Sequence, residues 1–145
     1  MKIYFAGSIR GGRGDREIYF KIIEILSKYG TVLTEHVGRE SISSYGEVNF
    51  TEQYIYQRDV EWIDESDVVI AEITTPSLGV GYEIGYAEAK NKRILCLYRE
   101  LEPGKKTSAM LAGNNHVEVK NYSSIEELPT FFDSFFNDKN NGGRF

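Results

Sequence analysis

Two short segments, far apart in the 145-residue chain, contain residues whose types and spacing suit chemistry on a phosphorylated ligand. Residues 7–12 (Gly-Ser-Ile-Arg-Gly-Gly) offer backbone N–H groups, a hydroxyl and a guanidinium, and all three donate hydrogen bonds to phosphate. Residues 77–83 place the Glu83 carboxylate in the first turn of a predicted helix. Both segments follow apolar β-type runs, so we expect them to lie in the same cleft. A phosphate-binding loop opposite a carboxylate indicates chemistry on a nucleotide or a sugar phosphate.

The first segment is not a Walker A loop, because Gly7 and Gly12 are followed by Arg13 and not by a Lys-Ser/Thr pair. Taken alone it is equally typical of a mobile surface turn. Arg10, Arg13 and Arg16 crowd into the same stretch, and this local positive charge favours a small anionic ligand.

Glu83 is predicted to point inward, because on a helix that starts at Gly79 it shares a face with Val80 and Ala87. Burial raises the pKa of a carboxyl and a helix N-terminus lowers it. A carboxylate that stays ionised but poorly solvated is a competent nucleophile. The alternative is a solvent-facing glutamate that complements the helix dipole.

Asp59 is a second acid on an apolar helix face, which it shares with Ile55, Trp62 and Ile63. We expect an acid in this position to have a partner or a function, since aspartate is rarely buried alone. Either it hydrogen-bonds a tyrosine or a helix cap, or it works with Glu83 as a proton donor or a base-binding acid. Two carboxyls in different environments are the arrangement used to cleave glycosidic bonds.

Other candidate residues carry weaker signals. Tyr4 lies close to the glycine loop, although core packing is the role its position favours. Ser108 is placed to cap a short helix. His36 and His116 are isolated and lack metal-ligand spacing, so we expect no metal site and no cofactor.

The glycine pattern of the third predicted helix has two interpretations. Gly79, Gly81 and Gly85 resemble a dinucleotide-binding pattern, but they follow the third strand and not the first. Gly81, Gly85 and Ala89 recur every four residues, which instead predicts close packing of this helix on a neighbour.

The composition excludes several classes of protein. A formal net charge of −5 argues against binding to nucleic acid, which needs dense basic surface. Cys96 is the only cysteine and lies in an apolar run, so we expect a buried structural thiol and a reducing, cytoplasmic setting. No apolar stretch approaches the length of a membrane span, and the N-terminus has the pattern of a strand and not of a signal peptide.

Strand and helix patterns alternate along the chain, which predicts a doubly wound α/β fold with a parallel sheet of five strands and helices on both faces. We expect one domain over residues 1–137 and a flexible tail over 138–145. The predicted strands are 2–6, 31–34, 67–73, 93–98 and 116–119, and the predicted helices are 15–29, 51–65, 79–91 and 124–136. Because both informative segments follow strands, they should meet at the carboxyl edge of the sheet.

Longer motifs resemble the 2′-deoxynucleoside 5′-phosphate N-hydrolases, a branch of the nucleoside 2-deoxyribosyltransferase superfamily. The similarity extends over about residues 2–135. The motifs that carry it are residues 4–13, 31–37, 59–62, 76–83, 92–97 and 108–110.

The resemblance implies a flavodoxin-like (Rossmann-like) fold and a cytoplasmic homodimer that hydrolyses 2′-deoxynucleoside 5′-monophosphates to free base and 2-deoxyribose 5-phosphate. By motif, Glu83 matches the nucleophile, Asp59 the acid that handles the base, and Tyr4 the residue that orients the nucleophile. The positions implied in substrate binding are Ser8, Ile9, Arg10, Gly11, Gly12, Ser77, Gly79 and, donated by the partner subunit, Ser108.

The hypothesis is a retaining double displacement through a covalent glycosyl-Glu83 intermediate. One alternative is a transferase that passes deoxyribose to another base. The other is a non-catalytic nucleotide-binding protein of the same fold. The loop at residues 8–12 favours the hydrolase, because a transferase of this kind handles unphosphorylated nucleosides.

Overall fold

The structure, a computed structural model, describes residues 1–8, 13–34 and 50–138. Strands and helices alternate along these residues, as the sequence predicts. In chain order they are β1 (Lys2–Ala6), α1 (Arg13–Leu26), β2 (Thr31–Val32), α2 (Glu52–Glu65), β3 (Val68–Glu72), α3 (Leu78–Ala89), β4 (Arg93–Arg99), α4 (Ala109–Ala112), β5 (Glu118–Tyr122), a 3-10 turn (Ile125–Glu127) and α5 (Leu128–Asn137).

The five strands form one sheet in the order β2-β1-β3-β4-β5, and every neighbouring pair is parallel. In the register, Tyr4 of β1 lies opposite Val69 of β3. The chain leaves β1 towards one edge of the sheet and leaves β3 towards the other, so the strand order reverses between these two strands. The prediction of a doubly wound parallel sheet is confirmed, and the loops after β1 and β3 lie where such folds bind ligands.

Alternation along β1 decides which helices cover each face of the sheet. Ile3 and Phe5 pack with residues of α1 and α5, whereas Tyr4 and Ala6 pack with residues of α2 and α3. β3 is buried along its whole length, because helices cover both of its faces. Tyr4 therefore lies on the same face of the sheet as the helices that carry Asp59 and Glu83.

The N-termini of α2 and α3 are fixed by side-chain caps. The Thr51 hydroxyl accepts a hydrogen bond from the Tyr54 N–H at 3.1 Å, and the Ser77 hydroxyl accepts one from the Val80 N–H at 3.3 Å. Each cap satisfies a backbone donor that the first turn leaves unpaired. The start of α2 after Thr51 agrees with the sequence prediction, and α3 begins one residue before the predicted Gly79.

Several element boundaries differ from the predictions, and three of these differences have local reasons. α1 begins at Arg13, so Asp15 lies inside the first turn and is not the cap. β2 ends at Val32, because the Thr34 hydroxyl bonds the backbone of Phe5 (2.8 Å to its N–H, 2.6 Å to its C=O) in place of further strand pairing. β5 begins at Glu118, because Asn114 ties the preceding residues into a turn.

Cys96 is fully buried in β4, and this burial raises the pKa of its thiol to about 12. The prediction of a buried structural thiol is confirmed. No helix among the described residues is long and apolar enough to cross a membrane. The long connection over residues 35–49 and the predicted tail from residue 139 onward lie outside the described residues.

Candidate active site

Two carboxylates predicted from helix spacing meet in one pocket of about 400 Å³, which we call the carboxylate pocket. Asp59 comes from α2 and Glu83 from α3, and Gly79 lines the same pocket at the start of α3. Tyr56 and Tyr82 stand at its outer side, where their hydroxyls approach to 3.3 Å. α2 and α3 pack side by side, so the structure brings together the two acids that the sequence singled out.

Tyr4 lies beneath the pocket, where it both packs in the core and contacts Glu83. Its side chain is only 2% exposed and belongs to the core between the sheet and α2 and α3. Its hydroxyl also hydrogen-bonds the Glu83 carboxylate. Burial and the nearby acids Glu83 and Asp59 raise the pKa of Tyr4 well above its ordinary value, so the hydroxyl keeps its proton and donates it.

The environment raises the pKa of Glu83 from 4.5 to about 8. Desolvation contributes most, and the charge of Asp59 adds to it, whereas the Tyr4 hydrogen bond and the Arg58 charge act in the opposite direction. These opposing influences bring the pKa of Glu83 close to neutral pH. A modest change in its surroundings can therefore convert the carboxylic acid to the carboxylate. The inward orientation predicted for Glu83 is confirmed.

Asp59 forms an ion pair with its chain neighbour Arg58, which sequence analysis did not single out. The Arg58 Nε and Nη2 atoms lie 3.0 Å and 2.9 Å from the Asp59 Oδ1 atom, and both side chains are mostly buried. The Arg58 guanidinium stacks over the Trp62 ring at 4.8 Å from its centroid. Adjacent residues on an ideal helix point in different directions, so spacing alone gave no signal for this pair.

Ser77 and Ser108 line a second cavity of about 470 Å³, on the other side of the first turn of α3. Ser108 is exposed, and its hydroxyl caps α4 by accepting from the Met110 N–H at 3.2 Å, as predicted. Lys105 and Lys106 border the same cavity. Within one chain, Ser108 therefore faces Ser77 and does not line the carboxylate pocket.

Ser8 is buried where β1 leaves the sheet, and its N–H donates to the Tyr19 hydroxyl at 3.1 Å. A side-chain carbon at Gly7 would approach the Tyr19 ring to 3.0 Å, so glycine is required here for close approach. The other predicted binding residues of this loop lie outside the described residues. They are Ile9, Arg10, Gly11 and Gly12.

Gly81 and Gly85 do not pack on another element of this chain, because a side chain at either position would meet nothing within 4 Å. The prediction that these small residues let α3 pack closely on a neighbouring helix is therefore wrong within the subunit. The same face carries Leu78, which is 97% exposed, and the half-exposed Tyr82. Met110, 80% exposed, adds to the apolar surface of this region.

The residues described by the structure contain no group of three or more His, Cys, Asp and Glu side chains able to hold a metal ion. His116 lies in the turn before β5, and its N–H donates to the Asn114 side chain. His36 is outside the described residues.

Comparison with known proteins identifies the family to which the chain belongs. Residues 3–122 match the sequence model of nucleoside 2-deoxyribosyltransferases. The chain belongs to this family.

Three similar sequences from vertebrates carry the name 5-hydroxymethyl-dUMP N-hydrolase. The protein from Danio rerio is 49% identical, over 94% of this chain and 96% of its own length. The protein from Tetraodon nigroviridis is 46% identical, over 96% of this chain and all of its own length. The Homo sapiens protein is also 46% identical, over 92% of this chain and 78% of its own length.

Solved structures with low sequence identity share the fold. A CMP N-glycosidase from Clostridium botulinum superposes with a TM-score of 0.65 at 20% identity, covering 93% of this chain and 99% of that one. A 2-deoxyribosyltransferase from Bacillus psychrosaccharolyticus gives 0.68 at 16% identity, covering 93% and 96%. These likenesses support the architecture of the sheet and its helices.

Proposed function

We propose that this protein hydrolyses the N-glycosidic bond of 2′-deoxynucleoside 5′-monophosphates, releasing the free base and 2-deoxyribose 5-phosphate. The observation that carries the proposal is the Glu83 carboxyl, desolvated beside Asp59 and hydrogen-bonded by Tyr4. The names of the vertebrate relatives support the reaction class. We extend their substrate, 5-hydroxymethyl-dUMP, to this chain.

In the first step the Glu83 carboxylate attacks C1′ and the bond to the base breaks. The electron pair of that bond leaves with the base, and Asp59, ionised beside Arg58, relays a proton from water to the leaving base. The transition state resembles an oxocarbenium ion, which a nearby carboxylate stabilises. Since a 2′-hydroxyl would disfavour this cation, its absence gives a chemical reason for a preference for deoxynucleotides.

In the second step water attacks C1′ of the glycosyl-Glu83 intermediate and the C1′–oxygen bond to Glu83 breaks. The proton lost by this water balances the one relayed to the base, so the free enzyme is regenerated with both acids ionised and with retention at C1′. Tyr4 keeps its proton throughout and orients the Glu83 carboxylate. We propose the covalent intermediate because Glu83 and Asp59 line one pocket, where Glu83 is assigned to attack and Asp59 to exchange protons.

The phosphate of the substrate is proposed to bind at the carboxyl edge of the sheet, through Ser8, Ser77 and the loop at residues 9–12. Holding the phosphate fixes the sugar for attack, so binding energy from a remote group accelerates the reaction. Gly79 allows the substrate to approach the first turn of α3.

We further propose that the enzyme is a homodimer in which Ser108 completes the partner's phosphate subsite. The exposed apolar residues Leu78, Tyr82 and Met110 support this arrangement, because isolated subunits rarely leave such side chains uncovered together. A cytoplasmic location is proposed on the ground that the single cysteine is a buried thiol.

One incubation separates this proposal from its rivals. The protein is mixed with 5-hydroxymethyl-dUMP, with and without a second free base, and the products are separated by chromatography. A hydrolase releases free base in both samples. An exchanged nucleotide identifies a transferase, and unchanged substrate that nevertheless binds in calorimetry identifies a non-catalytic binding protein; either result rejects hydrolysis.

A further inference from the structure

Three strands end in side chains that form a buried polar cluster at the carboxyl edge of the sheet. Glu72, Arg99 and Tyr122 are the last residues of β3, β4 and β5. Asp15 from α1 and Thr75 from the loop after β3 complete this group, which we call the strand-end cluster. It lies on the face of the sheet opposite the carboxylate pocket and has no part in the proposed bond cleavage.

Arg99 and Thr75 hold both oxygens of the Asp15 carboxylate. The Arg99 Nη2 atom donates to Asp15 Oδ1 at 3.1 Å, and the Thr75 hydroxyl donates to Oδ2 at 2.5 Å. The side chains of Asp15 and Arg99 are 12% and 15% exposed. Charges with so little contact with water interact strongly with their surroundings and are costly to leave unpaired.

Tyr19 and the loop after β3 connect the cluster to Ser8 and Ser77, the residues proposed to bind phosphate. Burial raises the pKa of Tyr19, whose hydroxyl accepts the Ser8 N–H; the charges of Glu72 and Asp15 add to this rise, and the charge of Arg99 opposes it. Thr75 is two residues before Ser77, in the same loop. An uncompensated charge in this cluster would therefore act on an anion bound between Ser8 and Ser77.

Arg99 is also the residue that links the cluster to the loop after β3. Its backbone N–H donates to the Thr74 hydroxyl at 2.9 Å, and the Thr74 N–H donates to Glu72 at 2.6 Å. The Arg99 Nε and Nη1 atoms are buried and find no hydrogen-bond acceptor among the described residues. A buried guanidinium with donors left unpaired is costly unless its charge is used, and the carboxylates of Asp15 and Glu72 are the charges that face it.

We propose that Arg99 is a positioning residue for the phosphate subsite: it neutralises Asp15 and, through Thr75, holds the Ser77 loop in place. Asp15 lies in the first turn of α1, where an unpaired carboxylate would repel the phosphate of the substrate. This inference rests on the proposed function, because it assumes that the anion bound near Ser8 and Ser77 is the 5′-phosphate.

The test measures binding of 2-deoxyribose 5-phosphate and of the free base by calorimetry, alongside the KM for 5-hydroxymethyl-dUMP. Arg99→Gln should weaken binding of the sugar phosphate about tenfold or more and raise KM by a similar factor, with kcat and binding of the base changed much less. Arg99→Lys keeps the charge and should lose much less. Arg93→Gln, which removes a partly buried guanidinium from the opposite end of β4, is the matched control.

The second arm removes the charge that Arg99 is proposed to neutralise. Adding Asp15→Asn to Arg99→Gln should restore most of the lost affinity for the sugar phosphate. Asp15→Asn alone should bind it somewhat more tightly than the wild type, because the cluster then carries one negative charge fewer. This single variant keeps the proposal testable even if Arg99→Gln does not fold.

A folded Arg99→Gln variant that binds the sugar phosphate normally would overturn the inference. So would equal losses for the sugar phosphate and the base, or a folded double variant that regains nothing. The proposed function fails separately, if the wild type releases no base from 5-hydroxymethyl-dUMP while it still binds the sugar phosphate. In that case the calorimetric arms continue to test Arg99.

Discussion

At the scale of single residues, the Glu83 carboxyl is placed between influences that act on its charge in opposite directions. Desolvation and Asp59 favour the protonated form, while Tyr4 and Arg58 favour the carboxylate. The result is a pKa of about 8, far above the ordinary 4.5. A nucleophile attacks as the carboxylate, so this pKa connects the geometry of the pocket to the pH dependence of the reaction.

The first prediction concerns that pH dependence. Because the raised pKa leaves Glu83 mostly protonated at neutral pH in the free protein, kcat/KM should rise about tenfold in all between about pH 7 and its plateau above about pH 9. The profile is measured from about pH 7 to about pH 9.5, where the substrate phosphate keeps a constant charge. A profile that is flat over this interval would show that Glu83 is already ionised at neutral pH.

The second prediction concerns the hydroxyl of Tyr4. Tyr4→Phe removes a hydrogen bond that stabilises the charged form of Glu83, so the midpoint of the pH profile should move to higher pH. At neutral pH we expect kcat/KM to fall about tenfold or more. The matched control is Tyr29→Phe, which removes a tyrosine hydroxyl bonded to Asp133 on the opposite face of the sheet. An unmoved midpoint in Tyr4→Phe would contradict the assigned hydrogen bond.

Sequence reasoning found these acids because each breaks the apolar pattern of its helix face. Asp59 shares a face with Ile63, and Glu83 with Val80 and Ala87, and all three of those apolar residues are buried. Arg58 gave no such signal, because its ion pair with Asp59 depends on side-chain conformation and not on helical spacing. Face analysis therefore predicts which residues point inward but not the partners they find there.

At the scale of secondary-structure elements, the start of α3 serves two purposes. Ser77 caps the helix, and it lines the cavity that also contains Ser108. Thr51 caps α2 with a similar hydrogen bond but does not line either cavity described above. The two caps therefore form a natural pair for separating the stability of a helix from binding at its N-terminus.

The third prediction compares these caps. Ser77→Ala and Thr51→Ala should each lower the free energy of unfolding by about 1 kcal/mol, because each leaves a first-turn N–H unpaired. Only Ser77→Ala should also raise the KM for the monophosphate, by about tenfold, since only Ser77 is proposed to contact phosphate. Thermal unfolding and steady-state kinetics measure the two effects. Equal kinetic effects of both substitutions would show that Ser77 acts only as a helix cap and does not bind phosphate.

Elements with strong local signals were predicted closely, and those set by tertiary contacts were not. β1 matches the prediction residue for residue, and α2 begins after Thr51 as expected. β5 was misplaced because the Asn114 turn that precedes it has no pattern of hydrophobic alternation. The end of β2 depends on the Thr34 hydroxyl, which satisfies Phe5 across the sheet.

At the scale of the whole molecule, strand order decides which side chains can meet. Reversal of the order between β1 and β3 brings Tyr4 beneath the acids of α2 and α3. The same order joins Asp15 to Arg99 across 84 positions of sequence. Alternation of strands and helices predicted the fold class, but it did not predict this pairing, because nothing local in either segment indicates its partner.

The exposed face of α3 gives the fourth prediction. Gly85→Glu should leave the subunit folded, because a side chain at Gly85 meets nothing within 4 Å and a helix interior tolerates glutamate better than glycine. If this face pairs with a second copy, the added charge should split the dimer and lower activity through loss of the partner's Ser108. Sedimentation and kinetics test both effects. A wild type that sediments as a single 16.5 kDa subunit would contradict the proposed dimer.

The measurement that tests the central claim most directly is turnover of 5-hydroxymethyl-dUMP by the Glu83→Ala variant, with binding of the same nucleotide measured by calorimetry. We predict that base release falls about 10³-fold or more while the nucleotide still binds, because the nucleophile is lost and the phosphate contacts remain. Glu61→Ala, which removes an exposed acid of α2, serves as the control and should turn over normally. Near-normal base release by Glu83→Ala would contradict the account.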